Sequence, residues 1–212
     1  MKIKAFTFNM FGVNTYLIWN EQTRNAAVID PGMINADEQR AFNSFIQSND
    51  LKLTAMVNTH MHIDHSAGNY YIAADYGLPT TCNPEDAYLA DNLTAQADMF
   101  GIPYNGNEAH IQKELHEGDE ITLADTKFRV LHIPGHTKGH IVLYAPSENV
   151  LFSGDALFQM SIGRTDLPGG DYTALIQNLQ AKVLTLPRET VVYPGHGPKT
   201  TIGFEVDNNP YF

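Results

Sequence analysis

The order of elements along this 212-residue chain predicts an α/β fold, a four-layer αββα sandwich of two sheets, each covered by helices. Three observations carry that expectation. Strand-like segments open the chain, helical patterns follow, and strands return before a last helix. Several apolar runs end in turns rich in Gly, Pro and His, the place where α/β folds carry their functional loops. No heptad, low-complexity tract or linker interrupts the order. Residues 1–212 are therefore expected to form one domain; its pseudo-repeated halves, meeting near residue 115, are expected from the sheet-plus-helix order and not from any visible internal sequence repeat.

Residues 1–30 read as three short strands at 3–8, 14–19 and 26–29. Met1-Lys2-Ile3-Lys4 has the basic start of a signal peptide. However, Thr7, Asn9, Gly12, Asn14 and Thr15 break any apolar core, and no small-x-small cleavage site follows. Residues 37–48 suit a helix with Phe42, Phe45 and Ile46 on one face. Residues 53–57 form a short apolar strand that ends in Asn58 and Thr59. Ser66 is placed to cap a helix running to about Tyr76, stopped by Gly77 and Pro79. Residues 84–99 read as a helix opened by Asn83-Pro84 and halted near Gly101-Ile102-Pro103. Strands dominate from there to Phe152. Residues 171–184 suit a helix capped by Asp171, with Leu175, Leu179 and Val183 apolar.

Composition removes several functions. The formal charge is −11 and the thirteen basic residues are scattered, so a nucleic-acid partner is not expected. No apolar run approaches the roughly 20 residues of a membrane helix, so no membrane partner is expected either. Cys82 is the only cysteine. An intramolecular disulfide is impossible, which fits a reducing, cytoplasmic setting. Following Thr80-Thr81 in a strand, Cys82 reads as a buried, inert thiol.

The chemistry is concentrated in Thr59-His60-Met61-His62-Ile63-Asp64-His65, with three imidazoles and one carboxylate within six positions. A helix cannot aim positions 60, 62, 64 and 65 at one centre, because its faces repeat every three or four residues. A strand would align 60, 62 and 64 but turn 65 away. A loop can turn all four inward. Neutral imidazole and carboxylate are ligands for divalent transition metals. Further candidates end other apolar runs: Pro134-Gly135-His136-Thr137, Ser153-Gly154-Asp155 and Pro194-Gly195-His196-Gly197. Glycine beside each lets the backbone bend or approach closely.

Taken in order, T-H-x-H-x-D-H, G-H-T, S-G-D and P-G-H-G resemble the metallo-β-lactamase-fold hydrolases over nearly the whole chain. Val28-Ile29-Asp30-Pro31-Gly32 is similar to that family's first αβ corner. Within the superfamily the chain looks most like the short glyoxalase II-like (hydroxyacylglutathione hydrolase-like) branch. The resemblance implies that His60, His62 and His136 hold one metal, that Asp64, His65 and His196 hold a second, and that Asp155 bridges them with a hydroxide. True β-lactamases of this fold lack that bridging carboxylate, which disfavours a β-lactamase. Seven ligands are too many for one tetrahedral zinc and suit two five-coordinate ions, with iron or manganese as alternatives.

The reaction implied is hydrolysis of an acyl thioester. A water shared by two zinc ions loses its proton near pH 7, against about 15.7 in bulk. Asp64 is the candidate catalytic group, orienting that hydroxide or taking its proton. Two zinc ions less two carboxylates and a hydroxide leave roughly +1, which suits an anionic substrate. Arg164, in Gly163-Arg164-Thr165-Asp166, stands where glyoxalase II enzymes carry a basic residue that helps hold the thiol carrier. Its competing reading is a brace paired with Asp166. Full-length glyoxalase II adds a helical domain that helps bind glutathione. Only sixteen residues follow His196 here, so a different or smaller thioester is expected. One rival is a persulfide dioxygenase with a single iron on His60, His136 and Asp155, since Gly-Arg-Thr-Asp resembles those enzymes too. The other is a metal-binding protein without turnover. Of the remaining histidines, His110 and His116 read as surface residues and His132 as a packed one. His140, four residues after His136, is a candidate to support a ligand.

Overall fold

The structure, a computed structural model, describes residues 1–212. The chain opens with β1 (Lys2–Phe8), β2 (Val13–Trp19) and β3 (Asn25–Ile29). Helix α1 (Ala36–Ser48) follows, capped by the Asn35 side chain, which accepts from the N–H groups of Asp37 and Glu38. Strand β4 (Lys52–Val57) returns parallel to β3 and completes a sheet of order β1-β2-β3-β4. Then come α2 (Ile63–Ser66), α3 (Asn69–Tyr76), β5 (Thr81–Cys82), α4 (Ala87–Ala90), α5 (Leu93–Phe100) and β6 (Lys113–Glu114).

The second half contributes β7 (Glu120–Leu123), β8 (Thr126–His132), β9 (Ile141–Ala145) and β10 (Val150–Gly154). A hairpin of β11 (Leu157–Phe158) and β12 (Ser161–Ile162) leads to α6 (Tyr172–Asn178), β13 (Val191–Pro194), β14 (Thr200–Thr201) and α7 (Ile202–Asn208). The second sheet has the order β14-β13-β10-β9-β8-β7.

Alternation along the strands builds the four layers. Tyr16, Ile18, Ala27, Ile29 and Val57 point from the first sheet toward Phe128, Val130, Leu143 and Phe152 of the second. Leu17, Val28 and Met56 point the other way, onto Phe42 and Ile46 of α1. Leu131, Val142, Leu151 and Val192 meet Leu175, Leu179 and Val183 on the outer face of the second sheet. Each fully buried side chain of this size contributes roughly 1.5–3 kcal/mol. In the second sheet β8 and β10 are both antiparallel to β9, and β13 is parallel to β10. So β8, β10 and β13 all point the same way and their C-terminal ends share one edge. No helix is long and apolar enough to cross a membrane.

Three local expectations are corrected. Ser66 does not cap a helix; its hydroxyl donates to the His62 carbonyl and closes α2, and α3 starts after Gly68. The helix expected over 84–99 breaks at Asp91-Asn92, because the distant Glu108 carboxylate accepts from the Leu93 and Thr94 N–H groups and caps α5. Residues 171–184 begin as α6, capped by Asp171, but widen to a π turn over Leu179–Val183 that keeps Leu179 and Val183 buried.

Candidate metal centre

Four strand ends meet at one place. After β4 the chain bends at Thr59 and His60, is extended at His62, then winds into the single turn α2, which carries Asp64 and His65. The cluster is thus half loop and half helical turn. His136 follows β8, Asp155 follows β10 and His196 follows β13. Gly195 allows a close approach: a Cβ there would run into Asp155 Oδ1 and stand 2.6 Å from the His65 ring.

The seven side chains fall into overlapping groups. His60, His62 and His136 form one, Asp64, His65 and His196 another, and His60, His65 and Asp155 a third; within each group the donor atoms lie within 4.8 Å of one another. His62 Nδ1 faces His136 Nε2 at 3.0 Å, and His65 Nε2 faces His196 Nε2 at 3.3 Å. Asp155 stands between the two sets. Its Oδ1 is 3.2 Å from His65 Nε2, and its Oδ2 is 3.6 Å from both His136 Nε2 and His196 Nε2. Asp64 Oδ2 is 3.2 Å from His196 Nε2.

The outer ring nitrogens are held by acceptors. His65 Nδ1–H donates to Asp30 at 3.0 Å, His136 Nδ1–H to the Arg164 carbonyl at 2.7 Å, and His196 Nδ1–H to the Phe11 carbonyl at 3.2 Å. His60 Nδ1 meets the Thr59 hydroxyl, which itself donates to Asp30. Each such bond turns the other nitrogen inward as a lone pair, the pattern that orients metal ligands. His60 Nε2 and Asp155 Oδ1 are buried with no hydrogen-bond partner. Buried polar atoms are rarely left so. A nitrogen- and oxygen-only donor set with orphaned inward atoms fits divalent zinc, iron or manganese.

Charge follows the same division. Burial holds the His60 and His62 imidazoles down, His62 to about 3, with neighbouring imidazoles adding to it; burial also lowers His136. Burial opposes charge at His65, yet Asp155, Asp64 and Asp30 together raise it well above its ordinary value. His196 is raised against burial by Asp64 and Asp155. Asp64 and Asp155 are lowered because His65 and its neighbours outweigh burial.

Arg164 lines the same cavity, but its guanidinium forks onto Asp166 with two bonds of 2.7 Å. His140 lies behind the centre: its Nε2 accepts the Asp155 N–H at 3.0 Å and its ring stacks on His60. His110 and His116 are exposed and paired with Asp91 and Glu114, while His132 donates to the Lys138 carbonyl. Cys82 is buried, and burial pushes its thiol up, as expected for an inert group.

Two carboxylates escaped the sequence reading. Asp30, at φ 51°, accepts from the Thr59 N–H and hydroxyl and from His65. Its place in Val-Ile-Asp-Pro-Gly was the available signal. Asp86 accepts from the Met61 N–H, the Thr137 hydroxyl and the Gly139 N–H, tying the His60–His62 loop to the His136 loop. Burial lifts its carboxyl to about 6 against those three donors. Beside Asn83-Pro84 it looked like an ordinary residue at a helix start.

Residues 9–196 match the metallo-beta-lactamase superfamily, and the chain belongs to it. Among its relatives is hydroxyacylglutathione hydrolase GloC of Haemophilus influenzae, 37% identical over 212 residues spanning all of this chain and 98% of that protein. The crystal structure of BLEG-1 B3 metallo-beta-lactamase superposes with a TM-score of 0.90 at 33% identity, covering 99% of this chain and 99% of that one. TTHA1623 in a di-iron-bound form superposes with a TM-score of 0.87 at 36% identity, covering 99% of this chain and all of that one. Membership of this family and the donor clusters make the chain a metallo-hydrolase of the superfamily.

Proposed function

We propose that the chain is a dinuclear metal-dependent hydrolase of a small acyl thioester. The observation that carries the reading is Asp155, whose two oxygens face two adjoining donor groups while one of them lacks any hydrogen-bond partner. His60, His62 and His136 would hold one ion; Asp64, His65 and His196 the other; Asp155 both. Bound there, two divalent ions lower the pKa of a water to near 7 and polarise a carbonyl.

The chain's own groups do the rest. Asp30, Arg164 through its carbonyl, and Phe11 through its carbonyl orient His65, His136 and His196. Asp64 lines the cavity as a carboxylate and, beside holding an ion, would orient the attacking water or accept its proton. A thiolate leaving group needs little acid help, its free pKa being near 8.5. Apolar residues, Phe11, Phe100 and Phe158 among them, wall the cavity beside the donor set. Glutathione belongs among the candidate carriers, because a relative bearing that name has nearly the same length.

Two other readings share the site. The likeness to BLEG-1 favours a β-lactam amide as an alternative electrophile. The likeness to ETHE1 of Myxococcus xanthus, at 28% identity and a TM-score of 0.78, supports the single-iron persulfide dioxygenase as the other alternative, though that mechanism would leave His62, Asp64, His65 and His196 without a task. Metal-defined enzyme should be assayed on glutathione and other thioesters, on a chromogenic cephalosporin and on a persulfide with oxygen uptake. Two metals per chain with thioester turnover is the expected result. One iron per chain with oxygen uptake, or turnover of the cephalosporin alone, would replace it.

A further inference from the structure

We propose that the cavity receives an uncharged, apolar acyl group, gripped by Phe11, Phe100 and Phe158, with the thiol carrier left outside. This rests on the thioester reading above and names the half of the substrate that enters. The cavity measures about 330 Å³, at the lower end of the range for small-molecule sites. That volume suits an acyl group better than a whole acyl-carrier conjugate.

Beyond the candidate ligands, its lining is Phe11, Ile63, Phe100, Phe158, Leu167 and Arg164. The Phe158 ring stands 6.2 Å from the His196 ring, so the apolar wall begins where the donor set ends. Phe11, from the turn between β1 and β2, meets Phe100, the last residue of α5, edge to face at 5.9 Å. Neither position is casual. Phe11 is tied to the centre because its carbonyl accepts from His196. Phe158 sits in the hairpin that Glu205 of α7 pins by accepting the Met160 N–H.

Polar recognition on this wall is poor. Arg164 is the one lysine or arginine in the lining, and both arms of its fork are committed to Asp166. A carboxylate or hydroxyl laid against the three phenyl rings would lose its water and gain no donor. An apolar group would gain contact with rings that are now partly exposed, Phe11 at 41% and Phe100 at 36%. Met10 and Met99, the chain neighbours of those two residues, are 73% and 68% exposed. Paired, partly exposed rings at a cavity mouth are the kind of apolar surface that binds a partner group. The anionic substrate expected from the sequence is thereby narrowed: any negative charge belongs to the carrier outside the cavity.

The test uses two thioesters of one thiol, one bearing a phenylacetyl group and one a short hydroxyacyl group, on metal-loaded protein. The phenylacetyl thioester should show kcat/KM greater by on the order of tenfold. Phe100→Ala and Phe11→Ala should each shrink that ratio several-fold, mainly through KM, and Phe100→Leu should keep most of it. A preference for the hydroxyacyl substrate, or an equal loss on both, overturns the proposal. Calorimetric binding of phenylacetamide against a short hydroxyamide, both uncharged, reads the same preference without turnover. If neither thioester is hydrolysed, the thioester reading falls, and calorimetry alone decides whether the wall selects apolar groups; equal binding rejects it. Sedimentation showing a dimer that Phe100→Ala dissociates, with acyl preference unchanged, would assign the rings to a second copy of the chain and overturn the proposal as well.

Discussion

Asp155 shows how much one side chain can decide. It follows β10 on a turn, its carboxylate sits among the imidazoles of His65, His136 and His196, and its Oδ1 has no hydrogen-bond partner. Asp155→Ala removes no packed apolar surface, so loss of fold is not expected from packing. Bound metal should fall from two ions to at most one per chain, with turnover lost. Elemental analysis beside a thermal melt checks this; unchanged stoichiometry with normal turnover would end the bridging assignment. Asp30 is its counterpart behind His65, and the left-handed backbone at φ 51° is tolerated because Asp accepts that region more readily than most residues. The motif signalled a corner there. That its carboxylate would reach His65, thirty-five positions away, was not legible, because a single chain does not reveal which loops will touch.

At the scale of elements, loops are held by backbone bonds from distant carboxylates. Asp86 joins the loop after β4 to the loop after β8 through three donors. Asp86→Asn would present an amide N–H₂ to at least one of them. A buried donor left unsatisfied costs about 1–3 kcal/mol, which lowers Tm by roughly 2–12 °C in a chain of this size. A melt within a degree of the parent would show that the link is not structural. Gly195→Ala is expected to be harsher. The new Cβ meets Asp155 Oδ1 and the His65 ring, so the His196 turn must move away from the centre. Metal uptake should drop while far-UV circular dichroism stays near the parent's. Full occupancy in this variant would mean that the turn relaxes without displacing His196. The helix break at Asp91-Asn92 belongs here too: propensity supports a continuous helix, and only the cap from Glu108 stops it.

At the scale of the whole molecule, a chain of net charge −11 concentrates its buried imidazoles at one end of two facing sheets. Without metal, the two donor groups differ in their protons. His65 and His196 are raised by the carboxylates around them. A proton on such a group stabilises the metal-free fold fully below its unfolded pKa, and that contribution is lost as pH rises through the raised folded value. An incoming ion must displace it. His60, His62 and His136 are lowered, chiefly by burial, and bind without that competition near neutrality. Occupancy should therefore fall toward one ion per chain as pH drops from about 8 to about 6, the Asp64-His65-His196 group emptying first. Calorimetric titration across that range should show more protons released by the second ion. Equal pH dependence for the two ions would count against this ordering.

By itself the sequence carried the layered α/β architecture, in the order and alternation of its apolar segments, and the family, through the resemblance of its ordered motifs to known members. It also singled out the seven residues that the structure gathers at four strand ends. Tertiary structure alone decided what surrounds them. The parallel course of β8, β10 and β13 puts His136, Asp155 and His196 along one edge, and strand order is not encoded in any single segment. Arg164 could be read as binder or brace from its position; in the fold, its guanidinium lies on Asp166 and its carbonyl on His136. Phe11, Phe100 and Phe158 come from three separate segments and line one cavity only once the chain has closed on itself. The physical reason is range: hydrophobic periodicity and ligand spacing act over a few residues, whereas hydrogen bonds from Asp30, Asp86 and Glu108 span from about fifteen to over fifty positions and exist only after the sheets have packed.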